Sequence, residues 1–114
     1  MASKPDKQAG KWVARPTPLQ DLVAYQAGTV VSRQLVNQKT GTVTLFAFSE
    51  GQALSEHTAP FDALVYLLEG AAEITVAGQP HEVKAGDIIL MPAGQPHALK
   101  AVQNFKMLLT MIRS

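Results

Sequence analysis

The stretch from Gly86 to His97, Gly-Asp-Ile-Ile-Leu-Met-Pro-Ala-Gly-Gln-Pro-His, sets the tightest limit on what this chain can fold into. Its four consecutive apolar residues, Ile88 to Met91, stand between a Gly-Asp start and a Pro-Ala-Gly stop. That is too short for a helix and too apolar for a loop, so the segment reads as a buried strand ending in a turn. The turn delivers one imidazole, His97, at the head of a further apolar run, Ala98 to Val102, where its ring can point along the inner face of a sheet. A second imidazole, His57, stands 40 residues upstream, also just after a Gly-bounded strand. These two histidines are the pair to bring together; His81, after the Gly78-Gln79-Pro80 turn, reads as a surface residue.

From Gly28 onward the chain repeats that pattern of short strands and turn residues. The candidates are Val30 to Val36, Thr42 to Phe48, Glu56 to Thr58, Leu64 to Leu68, Ala72 to Ala77, His81 to Lys84, Ile88 to Met91, Ala98 to Val102 and Phe105 to Met111. Many short strands with no helical repeat between them argue for an antiparallel sandwich or barrel rather than a parallel sheet. A chain of 114 residues with 46% hydrophobic content can build one such core without disulfides or metal.

Ahead of the strands, residues 1–11 are polar and carry no periodicity, the composition of a disordered tail. Residues 12–28 read as an arm: Arg15-Pro16-Thr17-Pro18 favours extended backbone, and Trp12 can anchor it by packing. Thr17-Pro18-Leu19 offers an N-cap and a first-turn proline, so a single helical turn is expected before Tyr25. Residues 29–114 form the barrel.

Several strands are apolar on both faces, Thr42 to Phe48 and Phe105 to Ile112 among them. Their outer faces need a cover, which a second sheet, the arm or another subunit can supply, and a homodimer is expected. A net charge of +1 with no basic run gives no footprint for nucleic acid or anionic lipid, and no run approaches membrane-spanning length. The absence of cysteine removes thiol nucleophiles and thiolate ligands and fits a reducing compartment, so a soluble, cytoplasmic protein is expected.

The spacing Gly86, five residues, Pro92, one residue, Gly94, two residues, His97 resembles the second motif of the cupins, whose histidine binds metal. In the first cupin motif a glycine stands five residues ahead of His-x-His, and a glutamate and a closing glycine follow. Gly51, His57 and Gly70 match it, while the second histidine falls on Ala59 and the glutamate on Ala63. The motifs span residues 51–101, and the resemblance implies an all-β, double-stranded β-helix (jelly-roll) barrel with an N-terminal extended arm.

Period-2 alternation then points position 59 inward with His57, and position 63 inward with Val65 and Leu67, so two alanines line the cavity where the family has ligands. Asp62 is one residue from the glutamate position. A kink after Pro60 could turn it inward, to complete a two-histidine, one-carboxylate set for iron, manganese, nickel or zinc; alternatively it caps the turn Ala59 to Asp62. The leading expectation is a small-molecule-binding barrel with a degenerate metal site. It would be lined by Phe46, Phe48, Val65, Leu67, Met91, Leu99 and Met107, with His57 and His97 as polar handles for a small acid, phenol or carbonyl compound. Two others remain: a metal-dependent enzyme of the oxygenase or isomerase kind using His57, His97 and Asp62, and a barrel that serves only through partner contacts.

Overall fold

The computed structural model describes residue 10 and residues 12–113. Expectations for the tail over 1–11 lie, apart from Gly10, outside the described residues. Nine strands form among those residues: β1 (Val30–Gln38), β2 (Gly41–Phe48), β3 (Ala53–His57), β4 (Phe61–Glu69), β5 (Ala71–Val76), β6 (Gln79–Lys84), β7 (Ile88–Met91), β8 (His97–Ala101) and β9 (Phe105–Arg113). They pair into two sheets, β1-β2-β9-β4-β7 and β3-β8-β5-β6, with every pairing antiparallel. The all-β barrel expected from the strand punctuation is the fold observed.

Two turns show how local chemistry sets this topology. Ala77 and Gly78 link β5 to β6 with φ of 49° and 80°, the left-handed pair that a two-residue hairpin requires. Gly70, between β4 and β5, has φ of 83°, and a Cβ there would run into the backbone of Asn104 and Phe105. A side chain at that point would push the two sheets apart.

Alternation along the strands separates two cores. Phe48, Phe105, Met107, Val65 and Leu67 of the first sheet face Ala72, Ile74, Leu99 and Ala101 of the second, all buried. The rings of Phe48 and Phe105 stack with centroids 4.5 Å apart. On the opposite, outer face of the five-stranded sheet, Leu45 and Ala47 are buried against Leu22 and Val23, with Trp12, Leu19 and Tyr25 packed around them. The arm therefore covers part of that face. Its helical element is one 3₁₀ turn, Leu19–Leu22. Pro18 occupies the cap position without a side-chain hydrogen bond, and the Thr17 hydroxyl donates to the Arg15 carbonyl (3.1 Å). No helix among the described residues is long and apolar enough to cross a membrane.

Candidate functional site

The C-terminal ends of β3, β7 and β9 and the N-terminal ends of β4 and β8 meet at one end of the barrel, because β3 turns directly into β4 and β7 into β8. His57 closes β3 and His97 opens β8, and the two are register partners. Their Nε2 atoms lie 3.1 Å apart, with the rings edge to face. His97 is buried, whereas His57 is exposed. A register shift between Leu54 and His57 lets both Leu54 and His57 turn toward the interior, which strict alternation over three residues would forbid.

The backbone assigns the tautomers. His57 Nδ1 lies 2.8 Å from the Ser55 carbonyl and His97 Nδ1 lies 3.2 Å from the Gln95 carbonyl. A carbonyl only accepts, so each Nδ1 carries its proton and donates, and each Nε2 of a neutral ring presents a bare lone pair. Burial pushes the His97 imidazole below its ordinary value; the Gln95 carbonyl opposes this and nearby His57 adds to it. His97 is thus neutral at pH 7. Two lone pairs at that separation repel unless a proton or a cation lies between them.

The turns that carry these histidines are tied to each other. Gly94 N donates to the Ala59 carbonyl (2.9 Å), and Ala93 N donates to Asp62 Oδ1 (2.9 Å). The neighbouring hairpin braces the same turn, since Ala77 N donates to the Pro96 carbonyl (2.8 Å). Asp62 consequently does not join the imidazoles. It sits within β4, opposite Ile112 and next to inward-facing Ala63, so alternation points it outward, where its carboxylate satisfies an amide of the β7–β8 turn. The expected two-histidine, one-carboxylate set is not assembled, and among the described residues no group of three His, Asp or Glu side chains could hold a metal. Asp62 caps a turn, though the turn is not its own. Ala59 also departs from expectation: β3 ends at His57, so alternation does not extend to it.

The apolar side chains expected to line a binding cavity mostly fill the core instead. Phe48, Val65, Leu67, Met91, Leu99 and Met107 are 0–2% exposed. Phe46 is half-buried and packs against the same core.

Two residues at that end escaped the sequence reading. Along β9, Phe105, Met107, Leu109 and Met111 face inward, and the same alternation brings Arg113 to the rim. Its guanidinium lies over the Phe61 ring (5.1 Å to the centroid) and makes no ion pair among the described residues. Thr42 Oγ1 is buried without a hydrogen-bond partner among those residues. Both line a cleft with Gly41, Phe61 and Met111 that has room for about 30 Å³, enough for a water or one oxygen-bearing group. The signal was present in the sequence as the sole cation of an otherwise apolar inward row.

The fold and these residues define a two-sheet antiparallel barrel with an imidazole pair at its open end. A family model described as "Cupin domain" matches residues 44–113, and the chain belongs to the cupins. It is 39% identical to a conserved protein of unknown function from Streptococcus pyogenes, with 89% of each chain covered and a TM-score of 0.85. It is 30% identical to a cupin superfamily protein from Desulfitobacterium hafniense, covering 95% of this chain and 97% of that one, again with a TM-score of 0.85. A cupin 2 conserved barrel domain protein from Leptotrichia buccalis is 40% identical over 82% of this chain and 46% of that one, with a TM-score of 0.80. No curated protein matches the chain.

Proposed function

We propose that the protein binds a small organic acid at the open end of its barrel, together with a divalent transition-metal ion held by Nε2 of His57 and Nε2 of His97. The observation that carries this reading is the pair of Nε2 atoms 3.1 Å apart, with each Nδ1 within hydrogen-bond distance of a backbone carbonyl. A metal about 2.0–2.1 Å from each imidazole nitrogen needs them about 3 Å apart, so the pair fits in donor type and spacing. It falls short in number, because the carboxylate that could complete the set is engaged by Ala93. The bound acid supplies the remaining donors, and metal and ligand reinforce each other's binding. Arg113 and the unpartnered hydroxyl of Thr42 offer a cation and a hydrogen bond to an anionic group. The metal would act as a Lewis acid toward a coordinated oxygen; the chain's own residues hold, orient and partly desolvate the ligand.

Calorimetric titration of the full chain with nickel or zinc, alone and with small carboxylic acids, tests the reading. Metal affinity should fall at least tenfold in both His57→Ala and His97→Ala. Arg113→Met should leave metal affinity unchanged and weaken the acid. Metal binding that survives both histidine variants would overturn it.

A further inference from the structure

Asp62 points away from the imidazoles, yet its hydrogen bond reaches the segment that carries one of them. Ala93, whose amide donates to Asp62 Oδ1 at 2.9 Å, lies in the turn over residues 92–96, and that turn runs straight into His97. Asp62 itself is the second residue of β4, only five residues after His57. The bond therefore ties the approach to His97 to the strand that leaves His57. A second tie crosses the same gap, from Gly94 N to the Ala59 carbonyl (2.9 Å).

Little else holds the two turns in register. The β3–β8 ladder slips between Leu54 and His57, so the histidine pair stands beyond the irregularity, at the end of both strands. Gly94 has φ of 79°, and nothing lies within 4 Å of where its Cβ would be, so packing does not clamp the middle of the turn. Hydrogen bonds have to do it, and the one to a carboxylate is charge-assisted, the stronger kind.

We infer that Asp62 is a positioning residue: by holding the Ala93 amide it fixes the turn before His97 against the start of β4, and so sets the 3.1 Å gap between the two Nε2 atoms. The effect on geometry belongs to the metal-free chain, while its effect on affinity rests on the metal reading proposed above. Two donors carried on separate turns bind a shared ion in proportion to the time they spend at the right separation. Asp62 acts here through an acceptor oxygen rather than through its charge. An asparagine, whose Oδ1 accepts the same bond, therefore replaces it, whereas a methyl group does not.

The test compares Asp62→Ala with Asp62→Asn in the full chain by two readouts. In nickel titrations Asp62→Ala should bind at least tenfold more weakly than the wild type, and Asp62→Asn within about threefold of it. Without metal, the nuclear Overhauser contact between the two imidazoles, whose centroids are 4.3 Å apart, should persist in Asp62→Asn and weaken in Asp62→Ala. Should Asp62→Ala lose its cooperative melt, Asp62→Ser, whose side chain ends one bond short of the carboxylate oxygen, takes its place with the same expectation. An asparagine variant as impaired as the alanine one would overturn the inference in favour of the charge, and an alanine variant that keeps the ring contact would overturn it outright. If the wild type binds no nickel, the metal reading fails by itself and the ring contact decides this one.

Discussion

The two ends of one sheet face differ in how their apolar residues are covered. Over β1, β2 and β9 the chain covers itself, and Leu45 and Ala47 are sealed beneath Leu22 and Val23. Over β4 and β7 similar residues stand in water. What separates the ends is polar anchorage. Trp12 Nε1 donates to the Leu35 carbonyl (3.2 Å), Arg33 to the Leu22 carbonyl (3.1 Å), and the Ser49 hydroxyl to the Gln26 carbonyl (2.5 Å). Lys106 donates to the Gln20 carbonyl (2.7 Å), and the Tyr25 hydroxyl donates to Glu69 (2.8 Å). An arm with little regular structure of its own must have its backbone carbonyls satisfied if it is to lie on a sheet. Arg33 and Lys106, outward on the covered strands, satisfy two of those carbonyls, and among the described residues no such bond to an arm carbonyl comes from β7.

The largest effect should come from emptying the covered half. Leu45 has no exposure, so Leu45→Ala should cost about 2–5 kcal/mol through lost burial and a residual cavity. Urea denaturation measures it. A cost below about 1 kcal/mol would mean that the arm is only loosely seated and that the two ends are less different than their exposures imply.

Next is Lys106, buried beneath the arm with its ammonium over the Tyr25 ring (5.1 Å). Its ion pair with Glu69 is long, at 3.9 Å, and the Glu69 side chain is 42% exposed, so that pair contributes little in salt water. The hydrogen bond to Gln20 and the packed stem dominate. Lys106→Ala should therefore cost about 1–3 kcal/mol, nearly unchanged between low and high salt. A loss that vanishes at high salt would assign the latch to the ion pair instead.

Tyr25 makes the covered half sensitive to alkali. Burial, then the hydrogen bond to Glu69 and its negative charge, raise the phenol well above its ordinary 10. A group whose pKa is raised on folding lends stability that is complete below the unfolded value and is lost as pH rises toward the folded one. Stability should accordingly decline above about pH 10, and Tyr25→Phe should flatten that decline. Ultraviolet titration of the phenolates, followed alongside unfolding, should show one of the two tyrosines ionising only as the arm releases.

The sequence made these ends unequally legible, and the same holds for the site. Strand positions are written locally: the turn residues around Ile88 to Met91 and the alternation in β2 and β9 place each element without reference to distant residues. Cross-strand partners are not written there. Asp62 finds the Ala93 amide 31 residues away, and Arg113 finds Phe61 across β9 and β4, so neither role could be seen from a run of neighbours. The β3 boundary failed for a related reason. Alternation extended to Ala59 assumes a strand that stops at His57, where the bulge has already changed which residues face inward. That β2 and β9 needed a cover could be read from their two apolar faces, but the polar anchors that let the arm supply it lie on Lys106 and Glu69, residues that look like ordinary surface charges.

The smallest effect separates the two ends most cleanly. Leu90→Ala removes as many methyl groups as Leu45→Ala, but from a side chain 53% exposed on an edge strand. Those methyls are largely in water in the folded and unfolded states alike, so little burial is lost and no cavity forms. The expected cost is within about 0.5 kcal/mol, as for surface substitutions generally. Parallel urea denaturation of Leu90→Ala and Leu45→Ala measures this. Similar costs would mean that the β4–β7 end is sealed as firmly as the arm seals Leu45, whereas a gap of about 2 kcal/mol or more leaves it as exposed surface.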